Sequence, residues 1–132
     1  MSNLINISEA ASLALHSMAL IARNQPQRMN VKVLARDLDV SQTHLAKVFQ
    51  KLSKNGLVKS VRGPAGGFEL NKPAEDISFL EIYEIIEGKV NLTDCPLGKT
   101  HCVFETCIFG DELNRISADI YATLKEMNLS KF

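Results

Sequence analysis

Hydrophobic residues recur at intervals of three and four along much of this chain, a spacing that predicts amphipathic helices with one buried face. The pattern is clearest where Leu45, Val48, Phe49 and Leu52 occupy positions i, i+3, i+4 and i+7. The predicted helices run from Ser8 to Arg23, Asn30 to Leu38, Ser41 to Gly56, Ser78 to Gly88 and Asp111 to Met127. A chain built from such segments is mainly α.

The residues at the ends of these segments support the assignment. Asn30 and Ser41 are suited to the N-cap, because their side chains can accept a hydrogen bond from the first turn. Ser78-x-x-Glu81 has the form of a capping box. Asp39-Val40 alone separates the second predicted helix from the third. The two therefore form a helix-turn-helix.

A β-hairpin is predicted directly after the third helix. The strand-like runs 57–61 and 68–70 are joined by the segment RGPAGG at 62–67. Gly and Pro between two such runs are typical of a hairpin turn. The predicted fold is therefore mainly α with a small β-hairpin wing, that is, a winged helix-turn-helix, plus a long C-terminal dimerisation helix.

The polar side of the third helix carries donors and cations that suit DNA. In this motif the second helix enters the major groove with its N-terminal residues at the base edges. Gln42 can bond an adenine at two atoms, and Thr43 can bond a base or contact a thymine methyl. Arg62 at the wing tip suits a narrow minor groove, where negative potential is concentrated. The residues expected to position the phosphate backbone are Lys47, Lys51 and Lys54.

Charge is segregated along the chain, although 15 Lys and Arg balance 15 Asp and Glu. Between Arg28 and Arg62 there are eight Lys or Arg against two Asp. Between Glu69 and Asp94 there are seven Asp or Glu against two Lys. A basic module followed by an acidic one keeps a phosphate-facing surface despite a net charge of zero.

Length and composition indicate an ordinary globular protein. The 132 residues suffice for one domain or slightly more, and 45% of them are hydrophobic. No run approaches the roughly 18 apolar residues of a spanning helix. No signal-peptide pattern opens the chain, so we expect a cytoplasmic protein without a membrane partner.

The segments SQTHLAKVFQKLSKN and GLVKSVRGPAGGFEL resemble the IscR/NsrR-type family of bacterial winged helix-turn-helix regulators. The resemblance covers essentially the whole chain. It implies a homodimer on double-stranded DNA, at a partly palindromic operator, and often an iron–sulfur cluster as sensor. By position it implies recognition residues at Ser41, Gln42, Thr43 and His44 and a wing arginine at Arg62. Gly63, next to Arg62, is also expected to contact DNA.

Three cysteines form a second focus, spaced C-x6-C-x4-C at Cys95, Cys102 and Cys107 in a segment that opens at Asp94. A cytosolic protein keeps such thiols reduced, and thiolates select zinc or iron–sulfur clusters. The resemblance implies that these three are iron ligands, completed by a fourth from elsewhere. The sequence leaves open whether the cluster is 2Fe–2S or 4Fe–4S.

Candidates for the fourth ligand are His16 of the partner subunit, His101, or a carboxylate such as Glu9. His16 is favoured, because its Ala14-Leu15-His16 setting resembles relatives whose first helix lends a ligand to the other subunit. The alternatives are a structural zinc site of three cysteines and His101, without a sensing cluster, and three unligated thiols.

Two regions are expected, with a winged helix-turn-helix at 1–73 and a cysteine-loop sensor and dimerisation region at 74–132. The first helix is also expected at the dimer contact. A thiol enzyme would need a base and an anion-stabilising pocket, and nothing near the cysteines marks them, so we predict no enzymatic activity. A module that binds protein in place of DNA should have an apolar outer face on the third helix, and this face is basic.

Overall fold

A computed structural model of the protein describes residues 2–92 and 95–132. Met1, Thr93 and Asp94 lie outside the described residues, and Asp94 is the residue at which the predicted cysteine segment opens. None of the helices in the described part combines the length and apolar character needed to cross a bilayer.

Five helices and one hairpin make up the described fold. The helices are α1 (Glu9–Asn24), α2 (Val31–Leu38), α3 (Gln42–Lys54), α4 (Phe79–Glu87) and α5 (Glu112–Glu126). Strands β1 (Val58–Val61) and β2 (Gly67–Leu70) pair antiparallel and form the wing. The predicted fold, mainly α with a small β wing, is confirmed. Two 3₁₀ turns, Ala74–Asp76 and Leu129–Lys131, were not predicted.

Side chains cap four of the helices where the sequence places Ser or Asn. The hydroxyl of Ser8 accepts from the Ala11 N–H at 3.1 Å, and Asn30 Oδ1 accepts from the Val33 N–H at 2.8 Å. Ser41 and Ser78 do the same for α3 and α4 at 3.2 and 3.1 Å. Each cap satisfies a donor that the helix cannot bond internally, and typically contributes about 1 kcal/mol.

The core is centred on α1, which contributes Ala11, Ala14, Met18 and Ile21, all fully buried. The apolar stripe of α3 packs against it, and Phe49, the largest of these side chains, is 1% exposed. Burying one such side chain stabilises a fold by about 2 kcal/mol. Residues from the C-terminal half complete the same core, namely Ile77, Ile82, Ile86 and Leu129.

The C-terminal tail returns to the start of α4. The Phe79 N–H donates to the Met127 carbonyl at 2.9 Å, and the Leu129 N–H donates to the Ile77 carbonyl at 3.2 Å. Leu129 is thereby buried against the core. The tail thus closes the core at the end of the chain. The division of the chain at residue 73 stays a prediction.

The wing is seated on the residues that precede α2. Met29 and Phe68 exchange two backbone hydrogen bonds, of 2.8 and 3.3 Å, as an isolated antiparallel bridge. Gly67 lies in this close approach with a φ of +141°, and a Cβ there would meet the Met29 backbone at 2.8 Å. Only glycine meets both requirements, because an L side chain rarely adopts such a φ.

We predict that Gly67→Ala destabilises the protein by about 3 kcal/mol, from backbone strain and from the clash with Met29. Denaturant unfolding followed by circular dichroism measures the change. Gly63→Ala is the matched control, because Gly63 also has a positive φ, +111°, but a Cβ there meets nothing within 4 Å. The control should cost only the strain, about 1 to 2 kcal/mol. Equal losses in the two variants would contradict the close approach.

Candidate nucleic-acid interface and cysteine loop

The turn between α2 and α3 is as tight as a helix-turn-helix requires. Asp39 ends α2 in the left-handed conformation, with φ 55° and ψ 52°, and its N–H donates to the carbonyls of Ala35 and Arg36. Asp is one of the few side chains that tolerate this conformation. Val40 then leads directly to Ser41, which caps α3. The backbone therefore places α3 across α2 as a recognition helix.

One side of α3 is buried and the other is free to contact DNA. Leu45, Val48, Phe49 and Leu52 form the buried side. The exposed side carries Gln42, Thr43 and Lys47 near the N-terminal end of the helix and Gln50 and Lys54 further along it. Ser41 is exposed, but its hydroxyl is already engaged in the cap. The geometry is that expected for base reading from the first turn.

Two side chains at the edge of this face are tied to neighbouring helices. His44 is half-buried, and its Nδ1 lies 3.6 Å from the Glu9 carboxylate of α1. Lys51 Nζ donates to the Ile86 carbonyl near the end of α4 at 3.4 Å. Both residues were predicted to contact DNA, and that role stays a prediction. The Glu9 carboxylate, one candidate cluster ligand, lies at the recognition helix.

The wing presents Arg62 and Gly63, both exposed, in the loop that follows β1. At its base lies a network that the sequence analysis missed. Glu69 accepts from Arg28 Nε at 2.8 Å, and its other carboxylate oxygen lies 3.1 Å from Lys59 Nζ. The hydrogen bond from Lys59, and then the Arg28 guanidinium, hold the pKa of Glu69 below its ordinary value despite some desolvation. Lys59 and Glu69 face each other across the hairpin. Opposite charges at paired positions were the signal in the sequence from which this ion pair could have been predicted.

The three cysteines of the loop line one cavity. Cys95, Cys102 and Cys107 line a space of about 220 Å³, together with His101 and apolar side chains such as Phe104. All three also line an adjoining space of about 310 Å³. Within residues 2–92 and 95–132, no three His, Cys, Asp or Glu side chains are close enough to hold a metal ion as they stand. Cysteine and histidine are the donor types that soft metals prefer, but the loop would have to bring them closer together to bind one.

His16 lies apart from the cysteines within one chain. It is exposed on α1, with Nδ1 2.7 Å from the Ser12 carbonyl oxygen. It lines a different cavity, of about 460 Å³, with Leu20, Arg23 and Phe132. A role as ligand would thus require another subunit, as the sequence analysis supposed, and that role stays a prediction.

A helix-turn-helix with an exposed basic recognition face and an arginine-bearing wing defines a DNA-binding transcriptional regulator. The Rrf2 family profile, described as an iron-dependent transcriptional regulator, matches residues 7–132. The chain belongs to the Rrf2 family. This confirms the resemblance seen in the sequence and the prediction that the protein is a regulator and not an enzyme.

The relatives span most of the chain. IscR of Cereibacter sphaeroides is 38% identical over 123 residues, covering 91% of this chain and 79% of that protein. NsrR of Oceanobacillus iheyensis is 30% identical over 128 residues, covering 95% and 87%. Among solved structures, IscR of T. potens matches with a TM-score of 0.77 at 23% identity, covering 96% of this chain and 85% of that one. At that identity the structural match shows the fold alone.

We predict that Arg62→Ala weakens binding to a selected operator by about tenfold, because a good groove contact contributes about 1 to 3 kcal/mol. Fluorescence anisotropy with the operator and with a scrambled duplex measures the effect. Lys47→Ala should weaken both duplexes alike and reduce the salt slope by about 1. Lys89→Ala is the control, because Lys89 is a similarly charged residue, 91% exposed, near the end of α4. Wild-type affinity in Arg62→Ala would contradict the role of the wing.

Proposed function

We propose that the protein is a homodimeric transcriptional regulator whose operator affinity responds to redox state, nitric oxide or iron–sulfur status. The sensor is a cluster held by Cys95, Cys102 and Cys107. The observation that carries the proposal is that all three cysteines line one cavity in a loop between α4 and α5. The family description, an iron-dependent regulator, agrees with it.

The loop is chemically suited to such a group. Thiolates are the ligands that iron–sulfur clusters require, and apolar neighbours control solvent access to a bound cluster. Phe104 and Phe109 line the cavity beside the thiols. A bound cluster would supply a centre that oxidants or nitric oxide can alter. The three cysteines would hold it within the loop.

The loop is also well placed to influence DNA binding through α4. The Val90 N–H, in the segment leading toward the loop, donates to a Glu84 carboxylate oxygen at 2.9 Å. At the end of the same helix, the Ile86 carbonyl accepts from Lys51 of α3. The Ser8 hydroxyl donates to the Glu87 carboxylate. A contraction of the loop would therefore act on the helix that touches both α3 and the cap of α1.

His16 of the partner subunit is our candidate for the fourth ligand. Its ring is exposed on α1, so a second chain can approach it without unfolding the first. A ligand shared between subunits would make cluster loss loosen their relative placement as well as the loop. The partly palindromic operator that we expect would match the two-fold symmetry of such a dimer.

A structural zinc site is the second candidate, because His101 lines the same cavity as the three cysteines. Three thiolates and one imidazole form a common closed zinc site. Such a site would hold the loop in one conformation and would have no sensing role. Metal content and colour separate the two candidates.

The surface of α5 supports the homodimer. None of its 15 residues is buried in the single chain. Leu113, Ile116 and Ile120 project on one side and remain 39%, 41% and 37% exposed. Packing against the same helix of a second copy would cover this stripe.

We predict that anaerobic reconstitution with iron and sulfide gives a coloured protein, and that each of Cys95→Ala, Cys102→Ala and Cys107→Ala loses the visible absorption. His16→Ala should keep a cluster with altered absorption or faster loss in air, because a weaker ligand would replace the imidazole. Visible spectra with iron, sulfide and zinc analysis provide the measurement.

His44→Ala is the matched control, because His44 lines neither cysteine cavity and its loss should leave the spectrum unchanged. A spectrum and air lifetime in His16→Ala equal to wild type would remove His16 from the site. A colourless wild type that contains zinc would replace the cluster with the structural site.

For the dimer, we predict that Ile116→Glu raises the dissociation constant by about 100-fold, because burying an unpaired charge costs several kcal/mol. Ile116 is preferred to Ile120, which also lines a cavity with Ile7 and Tyr83 of the same chain. Light scattering or analytical ultracentrifugation provides the measurement. Ala122→Glu is the control, since Ala122 is exposed on the opposite side of α5. A dimer as tight as wild type in Ile116→Glu would place the contact elsewhere.

A further inference from the structure

An acidic side chain lies between two basic ones at the base of the wing. Glu69 of β2 accepts from Arg28 Nε at 2.8 Å and pairs with Lys59 of β1 at 3.1 Å. Its side chain is 25% exposed, whereas that of Lys59 is 56% exposed. A carboxylate here repels DNA phosphates, so attraction to DNA cannot account for it.

The pair reaches the loop that carries Arg62. Arg28 bonds Glu69 through Nε and donates from Nη1 to the Ala65 carbonyl at 3.3 Å. Arg28 thus bridges β2 and the wing loop at 62–66. Its planar guanidinium can hold two acceptors in fixed directions, which a lysine cannot do.

The other contacts of the wing fix its base, and within the loop the Gly66 N–H donates to the Gly63 carbonyl at 2.9 Å. The Met29–Phe68 bridge and the contact between the rings of Phe49 and Phe68, with centroids 4.5 Å apart, lie on the α3 side of the hairpin. Neither touches residues 62–65. The Arg28–Ala65 hydrogen bond ties that loop to a side chain outside the hairpin.

We propose that Glu69 is a positioning residue for DNA reading, which holds Arg28 and Lys59 so that the wing loop directs Arg62 into the groove. The proposal rests on the DNA-binding function above and adds a specificity determinant that does not itself touch DNA. The lowered pKa of Glu69 agrees with a carboxylate kept charged by its two partners.

The test is Glu69→Gln, measured by fluorescence anisotropy on the selected operator and on a scrambled duplex of equal length at one salt concentration. We expect operator affinity to fall by about tenfold, as for loss of a groove contact. Affinity for the scrambled duplex should stay equal or rise, since one negative charge is gone. A purely electrostatic role would instead tighten both duplexes alike.

Glu81→Gln is the matched control. It removes the same charge from an ion pair of similar length, Lys72–Glu81 at 2.8 Å, whose residues lie outside the wing. The ratio of operator to scrambled affinity should remain that of wild type. Arg28→Lys gives a second test, because it keeps the positive charge and loses the bridge to Ala65. It should lower the ratio as Glu69→Gln does, and it carries the test if Glu69→Gln does not fold.

A double-mutant cycle separates positioning from a general loss of structure. If Glu69 acts through Arg62, adding Glu69→Gln to Arg62→Ala should cost little further operator affinity. An unchanged ratio in both Glu69→Gln and Arg28→Lys, or fully additive losses with Arg62→Ala, would overturn the proposal. Wild-type affinity in Arg62→Ala itself would instead refute the role of the wing in the proposed function, so the two failures are distinguishable.

Discussion

The seating of the wing on Met29, just before the N-cap of α2, is the contact on which the DNA-reading surface depends. Met29 and Phe68 exchange two backbone hydrogen bonds there, and the Phe68 ring packs on Phe49 of α3. Backbone hydrogen bonds set distance and direction together, so the hairpin and the recognition helix keep one spacing. Gly67 is required because a Cβ would push apart the two backbone segments that meet at this point. The Glu69 network then orients the wing loop, which lies beyond this bridge.

Buried surface is unevenly shared between the two ends of the molecule. Helix α1 buries residues along most of its length, whereas α5 buries none in a single chain. Stability within a protein follows such differences, and sparsely packed segments open first. The loop of Cys95 to Cys107 belongs to the sparsely packed part, yet α4 joins it to the core through Ile82 and Ile86. A conformational change in the loop can therefore have a small, local free-energy cost and still affect α3 through α4.

Local signals in the sequence sufficed for the elements that form the DNA-reading surface. The Ser41 cap, the stripe from Leu45 to Leu52 and the glycine-rich turn each specify structure within a few residues, and each is found as predicted. Contacts between distant positions were not accessible in this way. Arg28 and Glu69 lie 41 residues apart, and nothing local marks them as partners. The burial of Leu129 was missed because a single apolar residue after a helix belongs to no hydrophobic pattern. The sequence of the cysteine loop has no hydrophobic periodicity either, so its conformation could not be predicted.

The bond from Lys51 to the Ile86 carbonyl means that one ammonium group has two possible uses. Near a DNA phosphate, the same group would leave the end of α4. Binding equilibria at two sites that share such a group obey reciprocity, so each ligand changes the affinity of the other by the same factor. An operator that draws Lys51 away from α4 would alter how tightly the cysteine loop retains the proposed cluster. Operator DNA would then be an allosteric effector of the sensor site as well as the target of the protein.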